Sequence, residues 1–436
     1  MVVLNLKAFL LFALTCNSAI AFTPLATSNA IKYSTTSLSS SDNDNAENET
    51  TRRKFFQTAT AAAAATTTYS NLLLPQPALA TSTSNTLASA VQVAPKASYR
   101  GTAPMGLGAW AWGDSIFWGY NPKNDQDLKE VFNYAVEKNL AFFDTAELYG
   151  LGRSETLLGD FRNELTNAND VEKVKIATKF AALPYRTKAD DVVKACKASL
   201  ARLNPKGSIT KPIDLYQIHF PNAWANEDYW DGLAMCYEQG LVKAVGVSNY
   251  GVDATRAVHE KLAARGIPLA SNQIQMSLLY RFPLENGLVD VCKELDVDVL
   301  SYSPLALGFL TGKYDKETRP SGPRKAIAKV LLDGEDDGSN FNTLIQTMRD
   351  VASNHPGATL SQVAVNWTRS KGTIPIPGAR SLKQVKQNLA ALEWELSGEE
   401  VALLDAASVK VPSYATPEKA FFTKEDINTK LKMFDS

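Results

Sequence analysis

The sequence predicts an α/β protein folded as a (β/α)8 TIM barrel, and three observations support this prediction. Short apolar segments without polar alternation occur eight times over about 300 residues, as expected of parallel strands buried on both faces. Segments with the apolar period of a helix lie between them. The chain has 436 residues, of which 45% are apolar, so it can bury the core of such a domain. A doubly wound sheet would show the same alternation, and the count of eight strands favours the barrel.

The predicted elements follow one another in the order that a barrel requires, strand and then helix. The predicted strands are residues 104–108, 141–144, 174–179, 213–219, 244–248, 270–275, 297–301 and 372–375. The clearest predicted helices are residues 126–138, 188–203, 227–239 and 362–370. We therefore expect one barrel domain over residues 96–412 and a C-terminal tail over residues 413–436.

The first 95 residues have the composition of a targeting presequence. Residues 1–21 contain a lysine, a short apolar run and a small-x-small ending at Ala19 and Ala21, which is typical of a secretory signal peptide. Phe22 follows the predicted cleavage site, and residues 23–41 are rich in Ser and Thr and lack acidic residues, as in plastid transit peptides. The junction resembles the bipartite presequences of algae with secondary plastids, so a plastid (chloroplast) location is predicted.

A further targeting pattern follows at residues 51–80. Paired arginines in TRRKFF precede an alanine-rich run, and the segment ends in Ala-Leu-Ala before Thr81. This pattern is typical of a twin-arginine signal, which would direct a chain beginning near Thr81 to the thylakoid lumen. The alternative is a single long transit peptide with incidental basic residues, and both interpretations stay open. No membrane span is predicted for the mature protein.

Charge and residue counts exclude several classes of function. The net charge of −1 provides no basic field for nucleic acid. Cys196, Cys236 and Cys292 lie in predicted helices without a CxxC pattern, so they are expected to be small buried apolar residues. The chain has three widely separated histidines, so it offers few histidine ligands for a metal site. The sequence leaves the oligomeric state open.

Four of the predicted strands end in polar side chains that a buried strand would not favour. They are Asp144, Lys179, His219 and the pair Ser248-Asn249, and Tyr149 lies just beyond the first of them. Each has an ordinary explanation alone: Asp144 as a helix cap, Lys179 as a snorkelling side chain, His219 as a hydrogen-bonded core residue. Their joint occurrence favours a catalytic site, because catalytic groups of such barrels lie at the carboxyl ends of the strands.

These residue types together suit the protonation of a carbonyl oxygen. A phenol titrates near pH ~10, so Tyr149 can donate a proton only if the phenolate left behind is stabilised. A buried ammonium at Lys179 is expected to lower the pKa of Tyr149, and Asp144 to keep that ammonium charged and in place. A neutral His219 could donate to the developing oxyanion and orient the carbonyl. The set lacks a nucleophile.

Seven segments spread over roughly residues 100–410 resemble the sequence motifs of the aldo-keto reductases. They are FFDTAELYG, KVKIATKF, IDLYQIHFP, GLVKAVGVSNY, SNQIQMSLLYR, SYSPLALGFLTGKY and IPIPGARSLKQVKQNLAAL. The resemblance implies a catalytic tetrad of Asp144, Tyr149, Lys179 and His219, with Tyr149 as the general acid. Some members of the family replace the histidine, so its presence here favours carbonyl reduction.

The resemblance also implies that the chain binds NADPH across the barrel mouth, without a Rossmann domain. The implied cofactor-binding residues are Ser248, Asn249, Gln273, Tyr302, Ser303, Pro304, Leu305, Gly308, Gly378, Arg380, Gln384, Gln387 and Asn388. The alternative for Gln273 is an ordinary strand residue that faces a neighbour. Arg380 and Lys383 near a helix start suit a 2′-phosphate; the alternative is two solvated surface charges. Other members place a lysine and a serine where Gly378 and Ala379 stand, so the choice of NADPH over NADH is an expectation here.

A competing motif lies in the first predicted strand. GLGAWA, residues 106–111, fits the glycine pattern of a Rossmann dinucleotide site. The segment that follows it does not open a helix, so we interpret it as the first strand and its loop. The aromatic residues expected to line an apolar substrate pocket, with plain core packing as the alternative for each, are Trp110, Trp112, Trp118 and Trp224.

The sequence therefore predicts an NADPH-dependent reductase that acts on a small-molecule aldehyde or ketone. The alternative is a binding subunit that senses the cofactor and has little catalytic turnover, because similar barrels accompany ion channels as subunits. Substrate choice is expected to depend on loops such as residues 319–342, which are charged, rich in Gly and Pro, and expected to be irregular and mobile. The sequence does not identify the substrate.

Overall fold

Eight parallel strands form one sheet within the part of the chain that the structure describes. This computed structural model describes residues 104–411 apart from 116, 206–210, 223–224, 323 and 335. The strands are β1 Leu107–Gly108, β2 Phe142–Asp144, β3 Lys175–Phe180, β4 Leu215–Ile218, β5 Val245–Ser248, β6 Leu269–Gln275, β7 Asp298–Tyr302 and β8 Ile374–Ile376. Each strand pairs with the next in chain order, and the predicted (β/α)8 barrel is confirmed.

The barrel closes between its first and last strands. Gly106 N donates to Pro375 O and Gly108 N donates to Pro377 O, both at 3.0 Å. Glycine is required at position 106 because a Cβ there would lie 2.7 Å from the ring of Phe142. The short β1 can therefore lie close to both of its neighbours.

Helices cover the outside of the barrel. Those of the described residues are α1 Asp125–Glu137, α2 Arg153–Asn163, α3 Ala168–Lys173, α4 Ala189–Leu203, α5 Asn226–Glu238, α6 Val252–Ala263, α7 Phe282–Glu285, α8 Leu288–Glu294, α9 Arg324–Leu332, α10 Ser339–Ser353, α11 Leu360–Ser370, α12 Leu382–Ala390 and α13 Gly398–Lys410. The four predicted helices are confirmed as α1, α4, α5 and α11, with ends within two residues of the prediction. Thr359 and Ser397 begin α11 and α13 with capping boxes.

A plug of apolar side chains fills the barrel interior. Its members are Phe142, Ala177, Leu215, Ala244, Ala270, Leu300, Ile374 and Ile376. Apart from Ala244, which directly precedes β5, and Ile376, which ends β8, they lie at the starts or middles of the strands. The polar residues Asp144, Lys179 and Ser248 lie later along β2, β3 and β5. The barrel is thus packed through its lower part, and the polar strand ends form the floor of the open end.

The prediction of an irregular segment at residues 319–342 is wrong for much of its length. Helix α9, Arg324–Leu332, lies inside it, and α10 begins at Ser339. Ala328, Leu331 and Leu332 of α9 are buried in a cluster with α10 and α11. The spacing of these apolar residues is helical, and tertiary packing outweighs the Gly and Pro content of the flanks.

Some predictions fall outside the described residues. The presequence and its targeting signals at residues 1–95 do so, as does the tail at residues 413–436. Within the barrel that the structure describes, no helix combines the length and the apolar character needed to cross a bilayer.

Candidate active site

Three of the four predicted catalytic residues extend from strand ends of the barrel, and the fourth lies on the adjoining loop. Asp144 ends β2, Lys179 lies near the end of β3, and His219 follows β4 directly. Tyr149 begins the 3-10 turn Tyr149–Gly152 after β2. The parallel sheet therefore brings side chains separated by up to 75 positions to one edge, as the sequence predicted.

Lys179 is fully buried and is surrounded by oxygen atoms. Its Nζ donates to Asp144 Oδ2 at 2.7 Å and to the main-chain oxygen of Thr145 at 2.9 Å. The same nitrogen lies 3.4 Å from the hydroxyl of Tyr149. Burial lowers the pKa of Lys179, and the carboxylate of Asp144 opposes that effect. The ion pair thus compensates a cation that burial alone would disfavour.

Asp144 is fixed from its other side by Gln273 of β6. Gln273 Nε2 donates to Asp144 Oδ1 at 2.7 Å, so each carboxylate oxygen has a defined partner. The family resemblance implies a cofactor role for Gln273 and does not indicate this contact with Asp144. The position of Gln273 near the end of a buried strand could have indicated the contact, because a buried side-chain amide needs a polar partner.

Tyr149 does not have the lowered pKa that the sequence analysis expected. Burial raises the pKa of Tyr149 well above its ordinary value, and the charge of Asp144 raises it further. The contact with Lys179 is long for a hydrogen bond and does not reverse the cost of a buried phenolate. The phenol therefore keeps its proton at neutral pH and is available as a proton donor.

His219 is a neutral imidazole beside that phenol. Burial lowers its pKa well below the ordinary value, and the nearby charge of Lys179 lowers it further. Its ring centroid lies 5.7 Å from that of Tyr149 in an edge-to-face arrangement. Nδ1 of His219 is buried without a hydrogen-bond partner among the described residues. The side chain therefore keeps hydrogen-bonding capacity that the described protein does not use.

Glu147 ties the tyrosine loop to the loop after β3, and the sequence analysis missed this residue. Its Oε1 accepts from the main-chain N of Ala181 and from Nη1 of Arg186, both at 2.6 Å. The side chain of Glu147 is 9% exposed. Only its position two residues before Tyr149 could have indicated a role in placing the phenol.

Glycines allow the tyrosine loop to turn sharply. Gly150 has φ 58° and Gly152 has φ 93°, with Leu151 also left-handed at φ 55°. A Cβ on Gly150 would overlap the carbonyl of Gly113, so the loop after β1 packs backbone to backbone against this turn. Strain at a non-glycine residue beside a catalytic group is typical of functional loops.

The ends of β5 and β7 meet at the expected nicotinamide site. Ser248 Oγ donates to Gln273 O at 2.8 Å, and Asn249 Nδ2 donates to His219 O at 3.1 Å. The hydroxyl of Tyr302 donates to Asn249 Oδ1 at 2.9 Å. This hydrogen bond holds the half-buried Tyr302 ring in place. Asn249 has φ 64°, which places a second strained residue at this end of the barrel.

The segment after β7 has an unusual backbone. Ser303, Ala306 and Leu307 have positive φ, and Gly308 has φ 97°, a conformation that favours glycine. Pro304 is buried and Leu305 is half-buried. Left-handed residues in close succession turn main-chain N–H groups toward one side, an arrangement that suits an anion.

The expected adenosine end lies at the start of α12. Arg380 N donates to Gln384 Oε1 at 2.7 Å, and Asn388 Nδ2 donates to Gly378 O at 3.3 Å. Gln387 is half-buried, and its main-chain oxygen accepts from Gln362. Lys383 is exposed.

A second arginine joins Arg380 at this end of the site. Arg380 Nη1 donates to Trp118 O at 2.9 Å, and the guanidinium groups of Arg380 and Arg324 lie 5.5 and 5.6 Å from the Trp118 ring centroid. The charge of Arg324, after burial, lowers the pKa of Arg380, so two cations share one region. Sequence analysis missed Arg324, because its helix α9 was expected to be an irregular loop.

Of the four tryptophans expected to line the substrate pocket, two lie beside the site. The Trp110 ring centroid lies 6.2 Å from that of Tyr149 and 5.4 Å from that of Trp118. Trp112 was assigned wrongly: it is fully buried in the core, and its Nε1 donates to Ala379 O at 2.8 Å. Its ring packs against those of Phe143 and Phe161, with centroids 6.3 and 6.2 Å away. Trp224 lies outside the described residues.

The residues present fit a dinucleotide phosphate. The guanidinium groups of Arg324 and Arg380 both lie over the Trp118 ring, and the charge of one lowers the pKa of the other, so a bound anion would offset their repulsion. The exposed Gly378 lacks a side chain, so a ligand can approach the main chain there. The described residues contain no group of three or more His, Cys, Asp or Glu side chains that could hold a metal ion.

Comparison with known proteins agrees with this geometry. Pyridoxal reductase, chloroplastic, from Arabidopsis thaliana is 40% identical over 323 residues, covering 71% of this chain and 84% of that protein. The structure of a thermostable aldo-keto reductase with the inhibitor epalrestat matches with a TM-score of 0.54 and 28% identity, covering 70% of this chain and 95% of that one. An aldo-keto reductase from Klebsiella pneumoniae in complex with NADPH matches with a TM-score of 0.53 and 25% identity, covering 71% and 91%.

The barrel, the polar strand ends and these likenesses define an NADP-dependent oxidoreductase. The model of the aldo/keto reductase family matches residues 104–409, which is more than half of the chain. The chain belongs to the aldo/keto reductase family, and the resemblance of its seven motifs to that family is confirmed.

Proposed function

We propose that this protein reduces the carbonyl group of an aldehyde or ketone to an alcohol, with Tyr149 as the proton donor. The observation that carries the proposal is the position of Lys179, whose Nζ lies 2.7 Å from Asp144 and 3.4 Å from the Tyr149 hydroxyl. A buried ammonium beside a protonated phenol stabilises the phenolate that remains after proton transfer.

NADPH, when bound, supplies the hydride that reaches the carbonyl carbon. Tyr149 holds the proton until negative charge develops on the carbonyl oxygen, because burial raises the pKa of the phenol. Asp144 keeps Lys179 charged. The neutral imidazole of His219 donates to the carbonyl oxygen and orients the substrate, since its pKa is lowered by burial.

The cofactor is expected to extend from β5 to α12. Ser248, Asn249 and Gln273 would hold the carboxamide of the nicotinamide, and Tyr302 would pack against its ring. The strained segment from Ser303 to Gly308 is proposed to bind the pyrophosphate. The residues proposed for the adenosine end are Gly378, Arg380, Gln384, Gln387 and Asn388, with Arg324 added from α9.

Pyridoxal is the first aldehyde to test, because the 40% identical Arabidopsis thaliana protein is a pyridoxal reductase. That relative is chloroplastic, which supports the predicted plastid location of this chain. The finer prediction of the thylakoid lumen rests on the twin-arginine pattern alone.

Single-turnover kinetics test the proposed function directly. The full chain loaded with NADPH is mixed with excess pyridoxal, and the loss of NADPH fluorescence is followed in time. Tyr149→Phe should slow oxidation by at least roughly a hundredfold, the contribution expected of a general acid. Tyr185→Phe is the matched control, because Tyr185 is 70% exposed and should leave the rate unchanged.

Two outcomes would contradict the proposal. Oxidation at the same rate in Tyr149→Phe would exclude the phenol as the proton donor. NADPH binding without oxidation by pyridoxal or any other aldehyde would favour the cofactor-sensing alternative.

A further inference from the structure

A carboxylate outside the predicted catalytic tetrad joins the loops after β2 and β3, and the proposed reaction does not use it. Glu147 lies between Asp144 and Tyr149 in the chain. Its Oε1 accepts from the main-chain N of Ala181 and from Nη1 of Arg186, both at 2.6 Å. Ala181 is buried, so Glu147 satisfies a main-chain N–H that is shielded from water.

The main chain of Glu147 also lies against β3. Glu147 N donates to Lys179 O at 3.4 Å, so one residue contacts the chain on either side of Phe180. The main-chain oxygen of Phe180 accepts from the main-chain N of His219 at 3.0 Å. Glu147 therefore lies where the ends of β2, β3 and β4 are joined by hydrogen bonds.

Arg186 extends this connection to the loop after β4. Its guanidinium lies 5.5 Å from the ring centroid of Phe180, and its main-chain oxygen accepts from the hydroxyl of Tyr229 on α5. Nδ2 of Asn222, on the loop after β4, donates to the same hydroxyl at 3.0 Å. The ion pair between Glu147 and Arg186 is thus part of one network across three neighbouring loops.

The turn that contains Tyr149 gives the phenol little support of its own. Gly150, Leu151 and Gly152 all have positive φ, and a strained backbone of this kind persists only where its surroundings hold it. The contact between the Tyr149 hydroxyl and Lys179 Nζ is 3.4 Å, which is long for a hydrogen bond. An anchor two residues before Tyr149 therefore limits how far the phenol can move from the ammonium.

We propose that Glu147, paired with Arg186, is a positioning residue that holds the Tyr149 phenol where it can protonate the substrate carbonyl. Glu147 binds Ala181 and Arg186 and acts on the reaction through Tyr149. A displacement of about 1 Å can slow a reaction roughly a hundredfold, so an anchor of this kind can affect the rate without touching the substrate. The inference rests on the proposed carbonyl reduction and adds a residue to it.

A double-mutant cycle separates positioning of the phenol from general support of the fold. Single-turnover oxidation of bound NADPH by pyridoxal is measured for the wild-type full chain, Glu147→Ala, Tyr149→Phe and the double variant. We expect Glu147→Ala to slow the reaction roughly tenfold when Tyr149 is present and less than about twofold in Tyr149→Phe, because without the phenol no proton donor is left to position. The Kd for NADPH, from fluorescence titration, should change less than about twofold.

Two further variants test the hydrogen bonds themselves. Glu147→Gln keeps an oxygen that can accept from Ala181 and Arg186, so its rate should stay within about threefold of wild type. Arg186→Met serves if Glu147→Ala does not fold, because it removes the cation and keeps an apolar stem against Phe180. It should also slow the reaction only when Tyr149 is present.

Asp214→Ala is the matched control, because Asp214 makes the same two kinds of contact at the other end of the strands. Its carboxylate accepts from Ile176 N at 2.9 Å and from Lys243 Nζ at 2.8 Å, directly before β4 begins. We expect this variant to lower the free energy of unfolding and to leave the single-turnover rate unchanged.

The outcomes separate this inference from the proposed function. Equal slowing by Glu147→Ala in both backgrounds, or no slowing in either, would overturn the positioning role and leave carbonyl reduction intact. Slowing of the same size in Asp214→Ala, or a loss in Glu147→Gln as large as in Glu147→Ala, would also overturn it. An unchanged rate in Tyr149→Phe would overturn the proposed function and this inference together.

Discussion

Lys179 combines complete burial with a formal charge, and its neighbours account for that combination. Asp144 and the carbonyl oxygen of Thr145 accept from its ammonium group, and Gln273 holds Asp144 in turn. The network extends over β2, β3 and β6, so each strand contributes one group that the others need. A polar cluster of this kind is stable only when every member keeps its partner.

Breaking the pair should leave an uncompensated buried cation. We expect Asp144→Asn to lower the free energy of unfolding by about 3–5 kcal/mol and to reduce activity, measured by urea unfolding and by the aldehyde assay. Lys179→Met combined with Asp144→Asn should recover part of the stability and none of the activity.

The exposed pair Arg256–Glu294 provides the control for this experiment. Glu294→Gln should cost at most about 1 kcal/mol, because surface ion pairs contribute little. Equal losses in Asp144→Asn and Glu294→Gln would show that the buried pair has no special role.

His219 should make stability depend on pH. Its native pKa lies well below the ordinary value, whereas the unfolded chain has a pKa near ~6.5. Below that pH the unfolded state binds a proton that the native state does not, so stability is full above it and falls as the pH decreases. For this one group we expect a loss of about 1.4 kcal/mol between pH 7.5 and 5.5.

The comparison with His219→Gln isolates this term, because other carboxylates also titrate in acid. Unfolding free energies of the two proteins are measured at both pH values. Parallel pH profiles would show that His219 is protonated equally in both states.

At the residue scale, the sequence predicted which side chains lie together but not the direction of the Tyr149 pKa shift. Polar residues at strand ends identify Asp144, Lys179 and His219, since buried strands otherwise exclude them. The direction of the Tyr149 pKa depends on burial depth and on the length of the lysine contact. Neither quantity can be read from residue spacing.

Among the elements, α9 changes the predicted site most, because it adds a residue that the sequence did not predict there. The helix carries Arg324 to the ring of Trp118, opposite Arg380 from the start of α12. Helix α9 follows β7 and helix α12 follows β8. The segments after the last two strands thereby place two guanidinium groups against the loop after β1. This arrangement matches a phosphate better than either arginine alone.

Arg324 should therefore contribute to the preference for NADPH over NADH. We expect Arg324→Ala and Arg380→Ala each to weaken NADPH binding roughly tenfold, with little change for NADH, measured by fluorescence titration of the full chain. Arg319→Ala is a matched control, because Arg319 is paired with Asp333 on the surface. Equal weakening of both nucleotides would mean that Arg324 does not contact the 2′-phosphate.

Sequence patterns predicted the regular elements well and the loops poorly. Helices α1, α4, α5 and α11 have strong apolar periods, and their predicted ends agree with the structure. Helix α9 is short, and its apolar residues are buried only because α10 and α11 lie against it. Gly and Pro at its flanks gave the misleading signal.

In the whole molecule, the catalytic and cofactor groups are distributed unevenly along the chain. The proposed catalytic residues Asp144, Tyr149, Lys179 and His219 lie in or directly after strands β2 to β4, whereas most of the proposed cofactor residues come from β5 and beyond. The sequence predicted this arrangement because the order of the strands around the barrel equals their order in the chain. It could not predict how the first and last strands meet, which depends on close packing at Gly106.

The pairing of the first strand with the last affects how the chain folds during its synthesis. Gly108 pairs with Gly378, so the ring of strands stays incomplete until the eighth strand has left the ribosome. A nascent chain that ends shortly after β4 already contains all four proposed catalytic side chains but lacks Gln273. Contacts so distant in sequence form slowly and leave strand edges unpaired meanwhile. We therefore expect the growing chain to depend on chaperones until its last strand arrives.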